Sequence, residues 1–171
     1  PEDGFHVIAK QIEAAITTQT RVLLLNTPSN PTGAVLSQNE IDEIGEVCER
    51  HDLWIVVDEV YADLTYGAPF CSPFDRPHLR HRTLAVSSIS KSHALPGFRA
   101  GWIASPIEVT QRLVLVAEAM LFGSQPFIED ALAVALSKRH PEVERLSSAF
   151  KDRAHQLVSA FDGSTAAKAR M

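Results

Sequence analysis

The sequence predicts an α/β fold with a mostly parallel central sheet flanked by helices. Three observations carry this. Short, almost wholly apolar runs alternate with segments of helical periodicity, those runs are too uniformly hydrophobic for half-solvated strands, and several end on polar residues followed by turn or helix-start signals. After residue 106 the alternation gives way to helical patterning alone.

In chain order, Phe5, Ile8, Ile12, Ala15 and Ile16 recur at helical spacing and predict a helix over residues 5–17. Arg21 to Asn26 reads as a strand covered on both faces. Thr27 to Gly33 holds two prolines and a glycine and so can be neither helix nor central strand. Ser37 stands three residues before Glu40, a capping-box spacing for a helix carrying Ile41, Ile44, Val47 and Cys48. Leu53 to Val57 forms a second buried strand that ends at Asp58, residues 67–82 a loop, Leu84 to Ser88 a third strand and Gly101 to Ala104 a fourth. Helices are expected over 106–122, 126–139 and 141–160, with Pro126 and Pro141 in first turns. Trp54 and Trp102 sit in apolar runs and are expected in the core, while a four-strand sheet leaves both edge strands unprotected.

Composition narrows the function classes. The 171 residues are 45 % apolar and 22 % charged, enough to fold and bury one domain's core. Lys and Arg number 16 against 21 Asp and Glu, a net charge of −5, which argues against a nucleic-acid or anionic-membrane surface. Two cysteines, Cys48 and Cys71, make no Cys-x-x-Cys pair and no disulfide framework, so a reducing, cytoplasmic setting is expected. No apolar run reaches the roughly 18 residues of a membrane span. His78 and His81 lie in a Pro/Arg-rich loop without further ligands nearby, so no metal site is expected. The chain opens on Pro1 and reads as a piece of something longer.

In open α/β sheets ligands bind at the carboxyl ends of strands. Three polar clusters occupy such ends: Ser29-Asn30, Asp58 to Tyr61, and Ser88 to Lys91. Each alone has an ordinary explanation, as a turn residue, a helix cap or a solvated lysine. Three at successive strand ends are far less expected by chance. Glu59, beside Asp58, is assigned to packing, and His93 to a structural role or the site lining. The segment from Glu142 to Arg153 is read as a solvated helix face or a partner interface.

The runs Asn30-Pro-Thr-Gly33, Asp58-Glu-Val-Tyr61 and Ser88-Ile-Ser-Lys91, with Arg99-Ala-Gly101 eight residues past the lysine, resemble the signature of class I/II aminotransferases. These are fold-type I enzymes that use pyridoxal 5′-phosphate (PLP), and the likeness covers residues 5–160. The resemblance implies that Lys91 holds PLP covalently through its amine and serves as catalytic acid and base. It implies that Asp58 faces the pyridine nitrogen; a unit-charge pair at about 4 Å and an effective dielectric near 20 gains about 4 kcal/mol, enough to favour a cationic ring. Tyr61 and Asn30 are implied to bind the ring's phenolic oxygen, and Ser88, Ser90 and Arg99 the phosphate, for which two hydroxyls and a forked guanidinium suit a dianion. Pro31 follows a bond for which the sequence allows either isomer.

The implied activity is amino-group transfer from an amino acid to a 2-oxo acid, by a homodimer with no nucleic-acid or membrane partner. A PLP-dependent C–S or β-lyase of the same fold, and an aminotransferase-like effector domain of a transcription regulator, are the alternatives. Ser88-Ile-Ser-Lys91 also satisfies the Ser-x-x-Lys of acyl-transfer serine enzymes. That reading fails because no downstream Ser-Asp-Asn or Lys-Thr-Gly follows and Pro96-Gly97 interrupts any long helix. Residues 1–160 are expected to form a partial PLP-binding large domain and 161–171 a truncated connection toward a small domain. The piece alone is expected to be inactive, since the family's substrate-carboxylate arginine and cofactor-stacking ring have no counterpart in it.

Overall fold

In the computed structural model, which describes residues 4–137 and 140–162, four strands lie side by side in chain order: β1 (Val22–Asn26), β2 (Trp54–Asp58), β3 (Thr83–Ser88) and β4 (Gly101–Ala104). The first three are parallel, with Asn26 opposite Asp58 and Asp58 opposite Val86. β4 returns antiparallel, placing Gly101 opposite Ser88. The helices are α1 (Ala9–Ala15), α2 (Gln38–Arg50), α3 (Ile89–Ser92), α4 (Ile107–Leu121), α5 (Pro126–Leu136) and α6 (Pro141–Asp162).

The core fills one side of the sheet. Leu25, Ile55, Val57 and Ala85 pack against Ile41, Ile44 and Cys48 of α2, with Ala9 and Ile12 of α1 at the margin. Leu79 of the loop is fully buried in the same cluster. It lies so close to Gly45 that a Cβ there would stand 2.5 Å from a Leu79 methyl. Two single turns of 3-10 helix, Pro73–Asp75 and Arg80–Arg82, brace this loop. Arg82 donates to the Cys48 and Leu53 carbonyls at 3.3 and 3.0 Å, tying the end of the loop to α2 and to the residue before β2. A smaller cluster of Ile89, Ala100 and Ala135, with Trp102 against it, ties α3 to α5.

Side chains alternate across a strand, and the sheet's other face is open. Leu24 is 71 % exposed and Trp54 39 %, with Val22 and Ile103 also exposed. Two expectations therefore change: β1 is covered on one face only, and Trp54 is not a core residue, because α1 and α2 both cover the side of Ile55 and Val57. The first helix is also shorter than its apolar periodicity, since Phe5 adopts φ 65° and Ile16 is extended. On α4 and just beyond it, Ile107, Val114, Leu115, Val116, Met120, Leu121 and Phe122 are all exposed. The expectation for residues 163–171 lies outside the described residues.

The capping box forms as its spacing predicts. Ser37 Oγ accepts the Glu40 N–H at 3.3 Å, and a Glu40 carboxylate oxygen accepts the Ser37 N–H at 2.7 Å. The other Glu40 oxygen pairs with His6 at 2.6 Å. Replacing Ser37 with Ala is expected to lower stability by about 1 kcal/mol, read as a reduced urea midpoint with an unchanged slope.

Candidate active site

Asn26 closes β1, and its side chain accepts the Asn30 N–H at 2.7 Å across the Thr27–Gly33 turn. Both Thr27–Pro28 and Asn30–Pro31 are cis, and Gly33 completes the turn at φ 75°. Buried Thr27 closes the turn's far side, its Oγ1 accepting the Leu36 N–H at 3.0 Å. Asn30 extends its amide to within 3.5 Å of the Tyr61 hydroxyl.

Asp58 ends β2 on the same sheet face as Asn26, away from α1 and α2. One carboxylate oxygen accepts the Val60 N–H at 3.1 Å and the other takes no hydrogen bond among the described residues. Glu59 points the opposite way. It is buried at 9 % exposure, and Ser72 donates its hydroxyl to it at 2.5 Å. Burial pushes this carboxyl up to about 7; the Ser72 hydrogen bond works against that shift and the Asp75 and Asp58 charges add to it. The backbone beside it is tied to β3, through Glu59 N–H to the Val86 carbonyl at 2.8 Å and Ser87 Oγ to the Glu59 carbonyl at 3.4 Å.

Ser88 ends β3 and caps α3, its Oγ accepting the Ser90 N–H at 3.3 Å. Ile89 and Ser92 are buried, which turns Lys91 outward. Lys91 is exposed, and its amine has no hydrogen-bond or ion-pair partner among the described residues. His93 is structural: its ring contacts Ser92 Oγ at 2.8 Å and the Ala135 carbonyl at 3.2 Å, docking α3 on α5. Arg99 sits at φ 52°, a left-handed conformation costing a non-glycine residue about 1 kcal/mol or more. Its guanidinium donates to the Pro96 carbonyl at 3.1 Å and is otherwise free among the described residues. A Cβ at Gly101 would stand 2.6 Å from the Ser87 carbonyl oxygen and 3.1 Å from Ser88 Cβ, so glycine is what lets β4 approach the Ser88 turn.

The structure thus gathers the candidate residues unevenly. Asn30 meets Tyr61, and Ser88, Ser90 and Lys91 share one turn, while Arg99 bonds to neither serine and Lys91 makes no hydrogen bond or ion pair with Asp58. Two contributors escape the sequence reading. Asn26 is a polar residue closing an apolar strand ahead of a proline turn, a weak signal. Ser72, the partner of Glu59, offers none, being 13 residues away along the chain. Beyond these, His78 lies 3.4 Å from Asp42, and no group of three or more metal-ligating side chains occurs among the described residues.

Comparison with known proteins bears directly on this arrangement. The profile of the family "Aminotransferase class I and II" matches residues 1–168. The chain belongs to that family. Among aminotransferases, it is 40 % identical over 157 residues to the arginine–pyruvate transaminase AruH of Pseudomonas aeruginosa, covering 92 % of this chain and 40 % of that protein. It is 33 % identical over 154 residues to an aspartate aminotransferase of Geobacillus stearothermophilus, covering 89 % and 39 %. The crystal structure of the aspartate aminotransferase from Rhizobium meliloti superposes with a TM-score of 0.87 at 34 % identity, over 94 % of this chain and 41 % of that one. That of the aromatic aminotransferase from Pyrococcus horikoshii does so with a TM-score of 0.83 at 32 % identity, over 92 % and 43 %. The chain spans about two fifths of these aminotransferases, and its fold is the corresponding part of theirs.

Two outcomes follow from the geometry. Glu59 ionises near pH 7 in the folded chain and near the ordinary 4.5 when unfolded, so folding holds a proton that the unfolded chain releases first. Stability is therefore expected to fall as pH rises between those values and level off above them. Glu59→Gln removes that slope and exceeds the wild type at pH 8 by up to about 3 kcal/mol in urea unfolding. Gly101→Ala is expected to cost about 1–3 kcal/mol by forcing β4 off the Ser88 turn, read in the same assay.

Proposed function

We propose that the protein to which this chain belongs is a PLP-dependent aminotransferase, moving an amino group from an amino acid to a 2-oxo acid. The observation that supports it most is the alignment of three adjacent strand ends, which sets Asn30, Asp58 with Tyr61, and Ser88 to Lys91 along one edge of the sheet. The donor set suits the cofactor. Asp58 has a carboxylate oxygen open for a ring N–H, Lys91 an unpartnered amine for an aldehyde, and Ser88, Ser90 and Arg99 have protons to give to a phosphate.

When bound, PLP supplies an electron sink for the pair left at the substrate's Cα. The rest falls to the chain's own residues. Asp58 holds the ring nitrogen's proton and keeps the sink strong. Asn30 and Tyr61 would donate to the phenolic oxygen and steady its negative charge. Ser88, Ser90 and Arg99 anchor the phosphate end. Lys91 Nζ would hold the cofactor's aldehyde carbon and would serve as the base that takes the substrate's Cα proton.

The large-domain assignment of residues 1–160, with 161–171 leading toward a small domain, belongs to the same proposal, as do a homodimeric assembly and a cytoplasmic location. The exposed apolar side chains of α4 and α5 are consistent with surfaces covered in a larger assembly, and Cys48 and Cys71 are both free thiols. No helix among the described residues is long and apolar enough to cross a membrane.

Borohydride reduction of the PLP-loaded whole protein, followed by peptide mapping, is expected to label Lys91; a label elsewhere would refute the assignment. Lys91→Ala is expected to lower transamination at least about a hundredfold. Ammonia and pyruvate released without an oxo-acid acceptor would instead identify a lyase, and DNA binding without turnover a regulator.

A further inference from the structure

Asn26 touches both arms of the proposed site. It closes β1 directly opposite Asp58, and its amide divides its two ends between neighbours. Oδ1 accepts the Asn30 N–H at 2.7 Å, and Nδ2 donates to the Asp58 carbonyl at 3.3 Å. The same Asp58 carbonyl accepts the Thr27 N–H at 3.1 Å, so the start of the turn and the end of β2 share one anchor.

The turn has few other means of holding Asn30. Pro28 and Pro31 have no N–H to give. Ser29 and Gly33 spend theirs within the turn, on the Ala34 and Ser29 carbonyls at 2.9 and 2.8 Å. Asn30 is exposed, and its side chain reaches only Tyr61, at the long distance of 3.5 Å. Its backbone N–H to Asn26 is therefore the short bond that ties it to the sheet.

We propose that Asn26 is a positioning residue, a strut that fixes Asn30 relative to Asp58 so that both meet the PLP ring in one geometry. The role needs an acceptor and a donor on one short side chain. Aspartate keeps the acceptor but turns a second oxygen toward the Asp58 carbonyl, leucine fills the space with neither, and glutamine is one methylene too long. The inference rests on the PLP-binding reading of the chain, through Asn30 and Asp58, and concerns an atom pair outside the set that touches the cofactor.

The test compares wild type, Asn26→Leu and Asn26→Asp. In the whole protein without PLP, amide hydrogen exchange at Asn30 is expected to quicken in the leucine variant and stay slow in the aspartate variant, which retains the acceptor. In the whole protein, the leucine variant is expected to bind PLP about 2–10-fold more weakly, the worth of one hydrogen bond. The pH midpoint of the bound cofactor's absorbance change is expected to rise by about half a unit to one unit, because a displaced Asn30 no longer steadies the negative phenolic oxygen. An unaltered Asn30 exchange rate in Asn26→Leu overturns the strut. So does faster exchange with an unmoved midpoint and affinity, which would make Asn26 a fold residue only. Should the leucine variant not fold, Asn26→Ala takes its place with the same readouts. Wild type that fails to take up PLP at Lys91 overturns the functional reading itself, and the two failures are thereby told apart.

Discussion

Two parallel pairings, β1 with β2 and β2 with β3, set Asn26, Asp58 and Val86 in line across the sheet, and the chemistry-bearing residues follow within a few positions of that line. Parallel strands must run the same way, so each crossover returns the chain to the sheet's amino end and every carboxyl end falls on one edge. That edge is where a proline turn, an acid and a lysine-bearing turn are brought together from segments separated by tens of residues. β4 breaks the pattern by running back. Its first residue, Gly101, then borders the same edge, and the absence of a side chain there allows the close approach.

Elements whose stability is local were legible in the sequence. The Ser37–Glu40 capping box, the proline-started helices α5 and α6 and the four strands all lie where their patterns place them, to within a residue or two at most ends. What misled was burial. An apolar run reports that a strand is meant to be covered but not by what, and Leu24 and Trp54 face a side of the sheet on which neither α1 nor α2 lies. The first helix forms but is shorter than its spacing for a backbone reason, because Phe5 takes a left-handed conformation and Ile16 an extended one that hydrophobic spacing does not report. Of the candidate site, the strand ends that carry the short polar runs could be located beforehand. The long-range pairs could not: Asn26 to Asp58 spans 32 positions, and a hydrogen bond across a sheet leaves no local trace.

Asp58 and Glu59 are adjacent acids in unlike surroundings. On one side of the sheet the open carboxylate oxygen of Asp58 faces the edge where a ligand would sit; on the other, Glu59 is sealed against Ser72 and held partly neutral near pH 7. Adjacent strand residues point to opposite faces, so one acid stays available for chemistry while the next is used to lock the loop of residues 67–82 beneath the sheet. Sealing a carboxyl in this way costs stability as it ionises.

Helix α4 poses a geometric problem of its own. A surface helix in a globular domain presents an apolar stripe of about 100° to its neighbours. Here Ile107, Val114 and Leu121 cluster on one flank, Leu115 on another, and Val116 and Met120 on a third. No single flat surface can shelter all three flanks at once. A polar substitution would therefore bear on a different face of the helix depending on the flank it occupies.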